Sequence, residues 1–460
     1  MKIKFCGAAR MVTGSCFHLT VNGRQVLVDC GMKQGKDSRE ANRAPFLFDP
    51  RQIETLFLTH AHIDHSGLIP RLVDKGFSGN IITTNATADL AAIMLLDSAN
   101  IQENDAKWMT KKSFRTGEDI TYEPLYTVDD ARAAAELFDR KAYGQMERLG
   151  KDIRYRFVDA GHILGSGSLE LWWQDGPAEK KMVFSGDIGK KESPIIRDPQ
   201  KIEAADYVVM ESTYGDRNHK DMDASVTELA GAISDTFKRG GNVVIPSFAV
   251  GRTQDLLYLL NKLVGEGRLK KMDVYVDSPL AEAATKVYLD HPEVYDEEAR
   301  RFLGEKQKRG IRVRFTASVQ ESQKINARKS GIIIIAGSGM CEGGRIQHHL
   351  KHNLWRPESS VVFVGFQAEG TLGREIINGA KKVSVLGETI AVRAQIHTIN
   401  GFSAHADRKE LLAWLGAFEN RPEIFVVHGE DQVALAFAET IRTERGLTAH
   451  VPEPGQEFDI

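Results

Sequence analysis

The residues Thr59-His60-Ala61-His62-Ile63-Asp64-His65-Ser66-Gly67 place three imidazoles and one carboxylate within six consecutive positions. They follow Ile53-Glu54-Thr55-Leu56-Phe57-Leu58, a mostly apolar run of strand length. His60 and His62, two apart on an extended segment, therefore leave it on one face and can grip one cation together. Asp64 and His65 project from the turn beyond, aimed at a neighbouring point where a second cation fits. A single histidine is most often a solvated loop residue; four donors in one window need another explanation.

Further donors stand at strand ends along the chain. Asp29 follows Arg24 to Val28, His162 lies in the glycine-rich bend Gly161 to Gly167, and Asp187 follows Met182-Val183-Phe184. Glu211 ends a run from Tyr207, His405 sits in Ser403-Ala404-His405-Ala406-Asp407, and His428 follows Phe425-Val426-Val427. Nitrogen and oxygen donors without sulfur suit zinc, and manganese or iron would also accept them. A natural partition puts His60, His62 and His162 on one ion and Asp64, His65 and His428 on the other, with Asp187 bridging. Two ions about 3.5–4 Å apart would make hydroxide from shared water at neutral pH and stabilise both oxygens of an in-line displacement. The departing oxygen needs a proton, and His405 held by Glu211 suits that role. Asp29, ahead of Gly31, is either a turn former or part of the site, and its position leaves both open.

The elements that must place these groups are legible in outline. Cys16 to Val21 and Arg24 to Val28, joined by Asn22-Gly23, form a hairpin with a type I′ turn. Helices are expected from Thr87 through Leu96 and from Ala131 to Phe138, the second after Thr127-Val128-Asp129-Asp130, which has capping-box spacing with Asp in place of Glu. From about residue 215 helices and strands alternate, as in a mostly parallel sheet flanked by helices. Ligands bind beyond the carboxyl ends of such strands. Three glycine-arginine loops fall there: one with Ser247 and Arg252, one with Ser338, Gly339, Met340 and Arg345, one with Arg374. Each alone is as readily a helix cap; three on one edge favour a surface that tracks phosphates. Short strands return after about 385, so the expected division is 1–212 and 385–460 as one discontinuous domain, with 213–384 inserted. Lys107, Lys111, Lys112 and Arg115 form a basic run that either touches a polyanion or is simply solvated.

With 460 residues the chain exceeds one ordinary core. Four scattered cysteines without a Cys-x-x-Cys pair argue against a disulfide framework and a thiolate zinc finger. A net charge of −3 supplies no global field for a polyanion, so nucleic acid would need a local basic groove. No apolar run spans a bilayer, and Met1-Lys2-Ile3-Lys4-Phe5 lacks the apolar core of a secretory signal, so a cytoplasmic protein with no membrane partner is expected.

Thr59 to Gly67, His162 and Asp187 resemble the motifs of the metallo-β-lactamase superfamily. Glu211 in Glu-Ser-Thr-Tyr-Gly, His405 in Ser-Ala-His-Ala-Asp and His428 in Val-His-Gly-Glu resemble the three added motifs of its β-CASP branch. The resemblance implies an α/β fold, a metallo-β-lactamase αββα sandwich interrupted by a β-CASP domain. It also implies a two-zinc ribonuclease that uses a metal-bridged hydroxide and leaves 5′-phosphate and 3′-hydroxyl ends. By matching position, Glu211 and His405 are the acid pair, His428 is a metal ligand and Asp29 is a carboxylate that orients the site. Histidine at the position of His428 goes with RNA substrates in that branch, and a homodimer is left open. One rival reading keeps the fold but hydrolyses a small ester or thioester, which would not need the large insert. Another is an RNA-binding subunit with a dead site, against which the intact donor set argues.

Overall fold

The computed structural model describes residues 1–35, 38–304 and 310–460. The chain forms two compact units, one of Met1–Lys191, Arg197–Asn218 and His405–Ile460, the other of Glu192–Ile196 and His219–Ala404.

Among its described residues the first unit holds two seven-stranded sheets. One is built around the hairpin Phe17–Val21 and Arg24–Val28, whose Asn22 and Gly23 both take positive φ, 50° and 84°, the conformation of a type I′ turn. Thr55–Phe57, Asn80–Thr84 and Phe138–Lys141 extend it in parallel register on one side, and Lys2–Phe5 and Glu457–Asp459 extend it on the other. The second sheet runs in the order Ala449–His450, Glu423–Val427, Tyr207–Glu211, Ala178–Phe184, Gly167–Asp175, Ile153–Asp159, Glu147–Leu149. Phe5, Phe17 and Phe57 from the first sheet share one buried cluster with Phe157, Trp173, Phe184 and Phe425 from the second. Each such ring taken from water contributes about 2–3 kcal/mol, which holds the sheets face to face. Helices Arg408–Leu415 and Asp431–Thr440 cover the other face of the second sheet through Leu411, Ala434 and Phe437. Helix Asn85–Thr116 packs along Asn80–Thr84 and Phe138–Lys141. The layering is therefore αββα.

Strands Ala178–Phe184, Tyr207–Glu211 and Glu423–Val427 are mutually parallel neighbours. Their carboxyl ends bring Asp187, Glu211 and His428 to one edge of the sheet, which is how residues far apart in sequence come to share a site.

In the second unit Arg312–Phe315, Asp273–Asp277, Ile332–Ala336, Val243–Pro246, Ser360–Phe363 and Gln395–Thr398 form a six-stranded sheet in that order, every pair parallel. Ile332–Ala336 is buried at every residue, as a central parallel strand with helices on both faces must be. The chain rejoins the first unit at His405, later than residue 385, because Gln395–Thr398 extends this sheet beside Ser360–Phe363. Among the described residues no helix is long and apolar enough to cross a membrane.

Candidate metal centre

Strand Thr55–Phe57 ends just before Leu58, and His62 is the N-cap of a four-residue helix, Ile63–Ser66. The turn is held by close backbone contact: a Cβ on Gly31 would lie 1.7 Å from the Asp64 carbonyl oxygen, so only glycine lets the two segments meet. The bend carrying His162 is fixed in the same way, with Gly189 packed against the Gly161 carbonyl.

The donors gather in two groups. In the first, His62 Nδ1 lies 3.1 Å from His60 Nε2 and 3.2 Å from His162 Nε2. Asp187 Oδ2 is 3.3 Å from His60 Nε2 and 3.4 Å from His162 Nε2. In the second, His428 Nε2 lies 3.2 Å from His65 Nε2 and 3.4 Å from Asp64 Oδ2. The other oxygen of Asp187, Oδ1, faces this group at 3.2 Å from His65 Nε2, yet it is buried without a hydrogen bond.

This donor set fits a metal ion. Four ligands 2.0–2.1 Å from a tetrahedral zinc stand about 3.3–3.4 Å from one another, close to the separations found here. The ring atoms meet nitrogen to nitrogen, an arrangement that converging lone pairs explain better than hydrogen bonds do. Burial, and then the neighbouring His60 charge, lowers His62 to about 3, and burial together with His65 lowers His60 to about 4. Burial and His405 hold His162 well below the usual histidine range. These rings are neutral ligands in waiting. Burial opposes ionisation of Asp187, but His428, His65 and His60 outweigh it and keep the carboxylate charged.

Behind these donors lies a layer that aims them. Asp29, 1% exposed, accepts from Thr59 N–H at 2.8 Å and Thr59 Oγ1 at 2.9 Å, and its Oδ2 lies 2.8 Å from His65 Nδ1. A proton on Nδ1 leaves Nε2 of His65 as the ligand atom. Thr213 Oγ1 stands 3.1 Å from His428 Nδ1 and fixes that ring in turn. Asp29 and His428 both have positive φ, 59° and 50°. Such conformations cost about 1 kcal/mol or more in a non-glycine residue and persist where the surroundings over-determine them.

His405 adjoins the first group, its ring 4.5 Å from that of His162 and its Nδ1 3.2 Å from both oxygens of Glu211. Glu211 is itself held by the N–H groups of Ile188, at 2.6 Å, and Thr213, at 3.3 Å. Burial would lower the His405 pKa, but Glu211 and Asp187 raise it to about 9. Positive charge bound at Asp187 would draw it down from there.

In the second unit the structure brings the three glycine-arginine loops together. Ser247 N–H donates to Ala336 O at 3.0 Å, Gln367 Nε2 to Gly339 O at 3.0 Å, and Gly373 N–H to Met340 O at 3.2 Å. The Ser247 side chain is buried and bonds Phe248 O and Thr253, while Ser338 Oγ closes its own loop onto Gly343. Arg252 opens the helix Arg252–Gly265 with Asp255 at 3.7 Å, and Arg374 carries a buried Nε with no hydrogen bond. Arg345 has partners that the sequence reading did not name. Its guanidinium donates to Asp277 Oδ1 at 2.7 Å and to the Thr316 and Ala317 carbonyls, each at 2.8 Å. Asp277 in turn takes Ser322, Thr316 and His349, so Arg345 belongs to a buried network that ties the loop to the sheet. Sequence reasoning missed this network and the roles of Thr59 and Thr213. The threonines lay within the motifs already singled out, whereas nothing local marks Asp277 as Arg345's partner.

Three family models match: the metallo-beta-lactamase superfamily over residues 10–90, the Beta-Casp domain over 253–376, and the Zn-dependent metallo-hydrolase RNA specificity domain over 389–452. Ribonuclease TTHA0252 of Thermus thermophilus is 37% identical over 96% of each chain. The RNase J-like protein of Methanocaldococcus jannaschii is 30% identical over 100% of this chain and 99% of its own. Transcription termination factor FttA of Methanosarcina mazei is 30% identical over 96% of this chain and 69% of its own. A protein of unknown function from Enterococcus faecalis V583 shares the fold, with a TM-score of 0.58, 12% identity and 99% of each chain covered. The chain belongs to the β-CASP branch of the metallo-β-lactamase superfamily.

Proposed function

We propose that the chain is a zinc-dependent ribonuclease of the cytoplasm that hydrolyses RNA phosphodiester bonds to 5′-phosphate and 3′-hydroxyl ends. The observation that carries this is the pair of donor groups sharing Asp187, one carboxylate oxygen toward each, beside the buried Glu211–His405 pair. His60, His62 and His162 would hold one zinc and Asp64, His65 and His428 a second, with Asp187 common to both. Zinc bound there acidifies water and offers positive charge to the phosphate oxygens. Asp29 keeps His65 in one tautomer, and Thr213 does the same for His428. His405, oriented through Nδ1 by Glu211, gives a proton to the 3′ oxygen as its bond to phosphorus breaks. In the second unit, Arg252 and Arg374 with the backbone of the Ser338-Gly339-Met340 loop would hold the RNA backbone. The ribonuclease names of relatives aligned over nearly the whole chain support the substrate class.

The test incubates 5′-labelled RNA and matching DNA with the protein, with and without a chelator, and identifies the ends formed. Chelator-sensitive cleavage of RNA with 3′-hydroxyl ends is expected. RNA left intact alongside rapid hydrolysis of a small thioester or ester would replace the proposal with the small-substrate reading.

A further inference from the structure

The last turns of helix Asn85–Thr116 carry a group of residues that the metal centre does not use. Lys107, Lys111, Phe114 and Arg115 fall at i, i+4, i+7 and i+8, so they share one helical face. That face lines a groove of 770 Å³ whose other wall, between Thr121 and Thr127, includes Tyr122. Lys107 is answered by Glu103 at 3.4 Å, whereas Lys111 and Arg115 have no ion pair among the described residues. Phe114 is 53% exposed beside them, and on the adjoining face Trp108 is 62% exposed with the Lys112 ammonium 5.3 Å from its ring. Tyr122 has the Arg39 guanidinium over its ring at 5.2 Å.

Exposed aromatic faces interleaved with unpaired cations, in a chain whose net charge is −3, match one ligand chemistry closely. Single-stranded nucleic acid offers phosphates for the cations to follow and bases for the rings to stack on, with little demand on sequence. An acidic protein segment would use the cations and leave the rings idle.

We propose that this groove is an accessory binding site for single-stranded RNA, separate from the residues that hydrolyse it. The inference rests on the ribonuclease reading. It assigns the basic run on this helix to substrate capture: Lys111 and Arg115 contact phosphates and Phe114 stacks on a base.

The test measures binding of a phosphorothioate RNA of about 30 nucleotides, longer than one such site needs, by fluorescence anisotropy across a salt series. Cleavage of the ordinary RNA is followed in parallel. All the substitutions lie at exposed positions, so the fold is retained. K111A/R115A is expected to raise Kd about tenfold near physiological salt and to lower the slope of log Kd against log salt by about 1.4. F114A is expected to raise Kd about tenfold with the slope unchanged. In both, KM for the long RNA rises while kcat at saturation does not. Wild-type cleavage with unchanged Kd in both variants overturns the accessory site alone. Loss of affinity in K111A/R115A but not in F114A overturns the stacking of a base on Phe114, and with it a site built for single strands. Failure of the wild-type protein to cleave or bind RNA overturns the ribonuclease reading and this inference with it.

Discussion

Asp29→Asn isolates the layer behind the metal donors from the donors themselves. The carboxylate takes Thr59 N–H and Thr59 Oγ1 at 2.8 and 2.9 Å and faces His65 Nδ1 at 2.8 Å, all at a site 1% exposed. Asparagine fits the same space and tolerates the positive φ, but it offers one acceptor oxygen and an amide that can only donate. Either the amide opposes the Thr59 N–H, or it opposes the His65 Nδ1–H. In the second case His65 escapes by moving its proton to Nε2, the atom aimed at the metal. One charge-assisted hydrogen bond of about 1.5–3 kcal/mol is lost in both cases. Coupled to ligation, that corresponds to a loss of about 10–100-fold in zinc affinity. Competition with a chromophoric chelator reads the affinity directly, and metal analysis after dialysis reads occupancy. Zinc bound as tightly by D29N as by the wild type would refute the orienting role of Asp29, whatever happened to activity.

Four other substitutions probe different parts of the structure. H405A is expected to lower kcat about 10²–10⁴-fold with zinc content unchanged; unaltered kcat would remove His405 as the proton donor. Because Glu211 raises the His405 pKa and so favours its protonated form, activity that needs this proton is lost as pH rises through that pKa. E211Q removes the carboxylate that raises it and should move the alkaline limb of the pH–kcat profile down by about 1–3 units; a limb that stays put would show another group titrating. Gly31→Ala forces a methyl group against the Asp64 carbonyl at 1.7 Å and should displace the Asp64 and His65 ligands, seen as zinc lost on dialysis. Asp277→Asn breaks the buried bonds to Arg345 and His349 and should cost about 3 kcal/mol, read as a melting temperature several degrees lower; unchanged melting would contradict the structural role given to Arg345.

Much of the centre was readable because its information is local or lies at strand ends. The histidine cluster spans a few residues, and His162, Asp187 and His428 each follow a recognisable apolar run. The Asn22-Gly23 turn and the capping box of Thr127 with Asp130 declared themselves in the same way. Phe138–Lys141 and Glu147–Leu149 were not foreseen, since Phe-Asp-Arg-Lys and Glu-Arg-Leu at the sheet edges lack the apolar alternation that marks a strand. Helix Asn85–Thr116 was read only to residue 96 because its last turns carry polar and exposed residues with no apolar period. The network around Arg345 was missed for a different reason. A glycine-arginine loop looks alike whether its guanidinium meets a phosphate or a buried aspartate, and Asp277 becomes its neighbour only when Asp273–Asp277 and Ile332–Ala336 pair.

The central claim is that RNA is cut because these two donor groups hold metal. It is tested most directly by adding zinc stepwise to metal-free protein while bound metal and RNA cleavage are measured on the same samples, with D187N alongside. Cleavage that is absent without metal, rises as the two groups fill, and stays absent in D187N is the expected result. Cleavage at full rate by the metal-free chain, or zinc-filled protein that leaves RNA intact, would contradict it.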